Sequence, residues 1–393
     1  MHIPALKQQF QVAFSYPVHF TEALFHADNT LIRDTLAQDG GEGPRKIFFV
    51  VDSGVVAQHP QLIAAITHYV EAYAQVLQLS GPITVIPGGE QCKNEPAVVQ
   101  QLLEAVNTYH LDRHAYLVGL GGGAVLDLVG YVASIAHRGI RHLRIPTTVL
   151  SQNDSGIGVK NSINAFGKKN FLGNFAPPYA VFNDFDFLLT LEDRDWRGGI
   201  AEALKVGLIK DAAFFEFIRE NAAKLAARDM PAMRYLIHHC ADLHLQHIAG
   251  GDPFEQGSSR PLDFGHWSAH KLEQLSHYRL RHGEAVAIGI ALDAVYSHLQ
   301  GRISAAEREQ IIAVIRTLGF ALYAPEMSAH LENASHPQSL LHGLQEFREH
   351  LGGKLTIMLL AEIGRGVEVH EMDDQLVVEA VKQLQLYQSE PGG

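Results

Sequence analysis

Apolar positions along the chain follow two regimes. In the first half, short β-rich runs alternate with stretches of helical spacing: residues 46–52 (KIFFVVD), 82–87 (PITVIP), 115–119, 142–146 and 179–183 read as strands, and 60–79 and 95–109 as amphipathic helices. Parallel strands need crossovers that pack on the sheet faces, so this alternation predicts a parallel sheet with helices on both sides. A Gly-, Asn- and Lys-rich segment between 146 and 179 breaks the pattern and predicts a functional loop or hairpin. From about residue 188 the spacing turns helical, over 196–210, 212–227, 231–247, 266–275, 283–299, 305–318 and 337–350. One late apolar run, 355–360, fits either a strand or a short buried helix. The pattern predicts an α/β N-terminal domain, residues 1–185 including an N-terminal extension, and an all-α C-terminal domain, residues 186–393.

The length of 393 residues suffices for two cores, and 47% hydrophobic with 19% charged residues is an ordinary balance for a soluble globular protein. A formal net charge of −12 argues against nucleic acid or an anionic membrane as partner, so an anionic substrate has to be held by local basic residues. Cys92 and Cys240 are too few for a disulfide framework. The opening sequence MHIPALKQQF has no apolar leader pattern, and no later window is apolar for the length of a membrane span. These features together predict a cytoplasmic protein.

Three groups of residues carry candidate chemistry. His266 and His270 are four apart and share one helical face, His282 opens another amphipathic run, and Glu202 lies in an apolar stretch where a carboxylate is costly unless something holds it. Two imidazoles and a carboxylate suit Zn²⁺ with a coordination position left open; in a chain with 23 histidines, an ordinary helix histidine is the competing reading for each. Gly121-Gly122-Gly123 follows a strand and opens a helix, where bare backbone can approach a pyrophosphate, although the run is not the spaced Rossmann fingerprint and a plain tight turn also fits it. Asp52 ends its strand at the same edge and can bond a ribose hydroxyl; Glu90 and Lys93, after Gly88-Gly89, add an acceptor and a donor there or form a solvated turn. Lys160 and Asn161 in DSGIGVKN, then Lys168, Lys169 and Asn170, with Arg138 before them and Lys354 far downstream, suit a phosphate monoester, while exposed surface lysines are the competing reading for each singly.

In order along the chain, GGGAVLDLVGYVAS, HRGI, IPTTVLSQNDSGIGVKNSIN, KKNFLG, GGIAEALKVGLI, DFGHWSAHKLE and RHGEAVAIGIALD resemble the 3-dehydroquinate synthase family, and more broadly the sugar phosphate cyclases, across roughly residues 45 to 300. The resemblance implies a Rossmann-like α/β nucleotide-binding domain, a helical metal-binding domain, an active site in the cleft and a homodimer. It implies Zn²⁺, or Co²⁺, on Glu202, His266 and His282, and NAD at Asp52, Glu90, Lys93, Gly122, Gly123, Asp127, Thr147 and Thr148. It further implies substrate contacts at Asp154, Lys160, Lys169, Asn170, Lys205 and Lys354, His270 on the substrate phosphate, and Arg138 at the phosphate site of the neighbouring subunit. In the implied reaction NAD⁺ oxidises a ring hydroxyl, phosphate leaves by elimination, the hydride returns and an aldol addition closes a carbocycle, a net carbon–oxygen lyase.

The chain departs from dehydroquinate synthases where those enzymes surround a substrate carboxylate with a lysine, an arginine and an asparagine. Asp263 stands at the asparagine position, Arg260 is displaced by one with Ser259 in its place, and His247 takes the lysine position. A carboxylate facing a carboxylate is unfavourable, so the expected substrate is a neutral-headed ketose phosphate such as sedoheptulose 7-phosphate. DSGIGVKN is similar to the C7-cyclitol synthases, whereas His270 is a dehydroquinate synthase trait; with its N-terminal extension the chain resembles the dehydroquinate-synthase-like EboD type. The alternatives are 3-dehydroquinate synthase itself, a metal-dependent polyol dehydrogenase of the same fold, and an inactive NAD-binding scaffold.

Overall fold

The computed structural model describes residue 3 and residues 5–250, 252–254, 262–350 and 354–389. Its first half runs β1 (Val18–Thr21), α1 (Leu31–Ala37), β2 (Arg45–Asp52), α2 (Ser53–Gln58), α3 (Leu62–Ala72), β3 (Leu77–Leu79), β4 (Thr84–Ile86), α4 (Pro96–Thr108), β5 (Tyr116–Gly121), α5 (Gly123–Ile135) and β6 (Arg141–Pro146). An antiparallel hairpin, β7 (Lys160–Ala165) and β8 (Lys168–Phe175), follows before the last sheet strand, β9 (Ala180–Asp184). The seven-stranded sheet is ordered β1-β9-β6-β5-β2-β3, with β4 also beside β2, and its pairs are parallel.

Strand β2 shows why the run KIFFVVD sits in the middle. Ile47, Phe49 and Val51 pack with Ile66, Tyr69 and Val70 on one face, while Phe48 and Val50 pack with Val98, Leu102 and Val129 on the other. A side-chain period of two sends alternate residues to opposite faces, and with both faces covered neither set can be polar. Because the strands are parallel, Asp52, Ile86, Gly121 and Pro146 end them at one edge of the sheet, where ligands of such folds bind. The stretch 60–79 is not one helix: it splits into α3 and the three-residue β3, which is too short to show a period of its own.

The second half is helical: α6 (Asp193–Lys210), α7 (Ala212–Ala226), α8 (Met230–Ala249), α9 (His266–Leu275), α10 (His282–Leu299), α11 (Ala305–Thr317), α12 (His342–His350) and α13 (Asp374–Ser389). It is not strictly all-α, since the run 355–360 contributes to β10 (Ile357–Glu362), which pairs antiparallel with β11 (Arg365–Val369). Among the described residues no helix is long and apolar enough to cross a membrane. Helix α9 starts against α10 at unusually close range. Gly265 has φ +77, and a Cβ there would lie 2.7 Å from the Ile290 nitrogen, so only glycine fits. The buried Asp293 accepts from the Gly265 N–H and from Trp267 Nε1, each at 2.9 Å, which fixes the first turn of α9; burial pushes its pKa up to about 7 against those two donors.

Arg144 on β6 ties the loop between β6 and β7 to the sheet. Its fully buried guanidinium donates to the carbonyls of Gly156 (3.2 Å), Gly158 (2.7 Å) and Lys160 (2.9 Å) and to Asn161 Oδ1 (2.7 Å). Arg144→Met should therefore strand several buried acceptors and destabilise the protein by about 3 kcal/mol or more, since each orphaned group costs about 1–3 kcal/mol. The urea midpoint measures this, and an unchanged midpoint would show that the carbonyls find other donors.

Candidate functional site

The helical half brings Glu202, His266 and His282 together. Glu202 sits on the buried middle of α6, His266 on the first turn of α9 and His282 at the start of α10. Glu202 Oε1 lies 3.5 Å from His266 Nε2 and 3.2 Å from His282 Nε2, and one ligand atom from each residue falls within 4.8 Å of the others. His266 Nδ1 is 3.2 Å from the Phe264 carbonyl; donating there leaves Nε2 a free lone pair pointing at Glu202. Oε2 of the buried Glu202 is paired with Lys205 Nζ at 2.5 Å, while Oε1 faces the two imidazoles without a well-formed hydrogen bond. Two imidazole nitrogens converging on one oxygen of a buried carboxylate fit a divalent cation.

Charges around this cluster are arranged in pairs. Burial works against the Glu202 carboxylate, but Lys205 Nζ at 2.5 Å and the two imidazoles hold its pKa well below the usual range. Lys205, also buried, is raised by Glu202 and Asp154, and Asp263 adds to that field from the residue block ahead of α9. Burial alone would lower His282, yet its contacts with Glu202 and Glu273 raise it to about 9. His270, on the same face of α9, opens to the cleft but is hemmed in by the chain; that desolvation, with His266 and His282 nearby, pushes it well below the usual imidazole value.

The hairpin and the sheet edge close the other side. Lys169 Nζ donates to Glu273 Oε1 at 3.0 Å. Asn170, with φ +55, offers Oδ1 to the buried Lys93, which also reaches Asp127 Oδ2 (2.8 Å) and Ser162 Oγ (3.0 Å). Glu90 Oε1 accepts from Asn164. Asp52 caps α2 through the Gly54 N–H and also meets the Gly122 N–H; burial raises its pKa against those donors. A Cβ on Gly88 would stand 2.1 Å from Asp52 Oδ1, so bare backbone is required beside this carboxylate. Gly122 is the N-cap of α5, where side chains leave the first N–H groups uncapped, and Gly122, Gly123 and Thr148 line a cavity of about 210 Å³ that ends at His282 and Gly283. Thr147 is buried next to Thr148 with its hydroxyl oxygen unpaired.

The other expected site residues are scattered along the chain. Asp154, in a single π-helical turn over Ser151–Ser155, lies 2.7 Å from His244 Nδ1 on α8; burial would raise its pKa, but His244 and Lys205 outweigh this and lower it. His244 stands three residues before His247 on α8. Lys160 is exposed at the start of β7 with its carbonyl held by Arg144, and Arg138 is exposed beyond α5 with φ +64. Lys354 is exposed ahead of β10, without a hydrogen bond or ion pair to the cluster among the described residues. Arg260 lies outside the described residues. Sequence reading passed over Glu273, His244 and Arg144. Glu273 had a usable signal, three residues after His270 on the same helical face; His244 had none that set it apart from the other α8 histidines.

The family model for the 3-dehydroquinate synthase N-terminal region matches residues 83–198, and that for the 3-dehydroquinate synthase C-terminal region matches residues 199–343. Among solved structures, the chain is similar to 2-epi-5-epi-valiolone synthase from Streptomyces hygroscopicus subsp. jinggangensis 5008, which holds NAD⁺ and Zn²⁺: 28% identity over 97% of this chain and 100% of that one, TM-score 0.84. A 2-deoxy-scyllo-inosose synthase complexed with carbaglucose-6-phosphate, NAD⁺ and Co²⁺ shares the fold at 22% identity, covering 93% of this chain and 96% of its own, TM-score 0.76. Glycerol dehydrogenase from Schizosaccharomyces pombe shares it more distantly, at 14% identity over 97% and 92% of the two chains, TM-score 0.62. With both family models matched in sequence over residues 83–343, the chain belongs to the 3-dehydroquinate synthase family.

Proposed function

We propose that this protein is a sugar phosphate cyclase that uses NAD⁺ catalytically and a divalent metal on Glu202, His266 and His282 to turn a ketose phosphate into a cyclitol. The observation that carries the reading is the continuity of two sites in one cleft: the glycine-lined cavity at the sheet edge reaches His282, the shared corner of the carboxylate–imidazole cluster. When bound, NAD⁺ supplies a hydride acceptor that returns what it takes, and the metal supplies Lewis acidity for an alcohol and a carbonyl. The chain's own residues do the rest. Asp52, Glu90, Lys93, Gly122, Gly123, Asp127, Thr147 and Thr148 hold the dinucleotide along the sheet edge. Lys205 Nζ directs hydrogen bonds at the substrate hydroxyls next to Glu202, and Asp154 with His244 accepts from another. Lys160, Lys169, Asn170 and His270 surround the phosphate and stabilise it as it leaves, with Lys354 as a further donor.

Arg138, exposed in a left-handed conformation and without a hydrogen bond or ion pair among the described residues, suits a homodimer in which it reaches the partner's phosphate site. For the substrate, we favour a neutral head such as that of sedoheptulose 7-phosphate. Asp154, Glu202 and Asp263 bring three carboxylates near one lysine, Lys205. A divalent cation balances that set, and a further carboxylate would not be matched. The test is purified protein with Zn²⁺, substoichiometric NAD⁺ and C6 to C8 ketose phosphates. Phosphate should be released over many turnovers per NAD⁺ with no net NADH. Stoichiometric NADH without phosphate release would instead make the protein a polyol dehydrogenase.

A further inference from the structure

We infer that Glu273 is a positioning residue that fixes His282 as a metal ligand and at the same time holds Lys169 of the hairpin. The inference rests on the metal reading above. The buried Glu273 carboxylate sends one oxygen to each group: Oε2 is 3.2 Å from His282 Nδ1, and Oε1 is 3.0 Å from Lys169 Nζ. A carboxylate can only accept, so the proton of a neutral His282 ring is confined to Nδ1. The lone pair is then left on Nε2, the nitrogen 3.2 Å from Glu202. Without this contact the ring is free to take the other tautomer, with a proton where the metal belongs.

The same contact decides between two overlapping clusters. Glu202, His266 and His282 form one group with metal-ligand spacing; His270, Glu273 and His282 form another, and the two compete for opposite nitrogens of His282. In the second group Glu273 already holds the Lys169 ammonium, so a cation there would sit beside a positive charge. In the first, Glu202 Oε2 also has an ammonium beside it, Lys205 Nζ at 2.5 Å, but Oε1 faces only the two imidazole Nε2 atoms, whereas both Glu273 oxygens are engaged. Glu273 therefore belongs outside the coordination sphere, aiming the ring. The other consequence is mechanical. Lys169 stands on β8 and Glu273 on α9, so this one side chain links the hairpin to the helix that also carries His266 and His270. Placement of a phosphate-end lysine and placement of a metal ligand thereby share one anchor.

The experiment is zinc affinity, by competition with a chromogenic chelator, for the full-length wild type, Glu273→Gln and Glu202→Gln, together with the melting temperature of each metal-free protein. Glu273→Gln keeps the shape but weakens the acceptor. It should bind Zn²⁺ about 10- to 100-fold more weakly, the range seen when partners of metal-bound histidines are lost. Its metal-free melting temperature should stay close to wild type, which separates aiming from general support of the fold. Glu273→Asp, which is too short to reach both groups, should not restore affinity. Zinc affinity of Glu273→Gln within twofold of wild type overturns the inference. So does loss of all zinc binding in Glu273→Gln while Glu202→Gln retains it, because Glu273 would then be a ligand. If the wild type itself binds no zinc, the metal reading fails rather than the role of Glu273 within it.

Discussion

Given a choice of substrates, the protein should release phosphate from sedoheptulose 7-phosphate roughly 10- to 100-fold faster, by kcat/KM, than from the seven-carbon acid phosphate that dehydroquinate synthases cyclise. The reason lies in the carboxylates gathered around Lys205. Asp263 stands where those enzymes carry a neutral asparagine, and it is close enough to Lys205 to strengthen that lysine's hold on its proton. Two carboxylates about 5 Å apart repel by roughly 3 kcal/mol at an effective dielectric near 20, and partial compensation by Lys205 leaves about 1–3 kcal/mol. That range is about 10- to 100-fold in rate. Asp263→Asn removes the repulsion without changing the side chain's size, so it should raise turnover of the acid while leaving that of the ketose phosphate within a few fold. A wild-type preference for the acid sinks the argument and returns the protein to dehydroquinate synthesis.

Much of this was legible in the sequence, for reasons that can be named. Strand β2 was readable because burial on both faces demands an unbroken apolar run, and α9 because His266 and His270 stand one helical turn apart among the apolar Trp267, Ala269 and Leu272. The carboxylate Glu202 was conspicuous because it interrupts the buried face of α6. What stayed hidden was either short or relational. Strands β1 and β3 have four and three residues and borrow their stability from neighbours, so they show no period of their own. Arg144 looks like any arginine until the carbonyls of Gly156, Gly158 and Lys160 are seen converging on it, residues with no sequence signal pointing back to β6. His244 meets Asp154 because α8 passes behind the turn after β6, a consequence of packing between elements 90 residues apart in the chain, from 154 to 244.

Replacement of Glu202 should have the largest effect of any single change. Glu202→Gln keeps the volume of the side chain but offers a neutral amide in place of the proposed charged ligand, leaving two imidazoles that by themselves would hold zinc weakly. Zinc content after desalting should fall to near zero, and phosphate release should drop at least about 10³-fold, as expected when several kcal/mol of charge stabilisation disappear. The fold should survive. Lys205 loses its nearest partner, but Asp154 and Asp263 remain as counter-charges for the buried ammonium, and no cavity opens in α6. Circular dichroism should therefore be unchanged, with at most a modest fall in the urea midpoint. Full zinc stoichiometry in Glu202→Gln would remove this residue from the ligand set. Zinc lost with turnover preserved would show instead that the chemistry needs only the lysines and the dinucleotide. The pairing of Glu202 with Lys205 at 2.5 Å argues against that second outcome, since burying an ion pair three residues apart is costly and the structure uses it to keep a charged carboxylate facing two histidines.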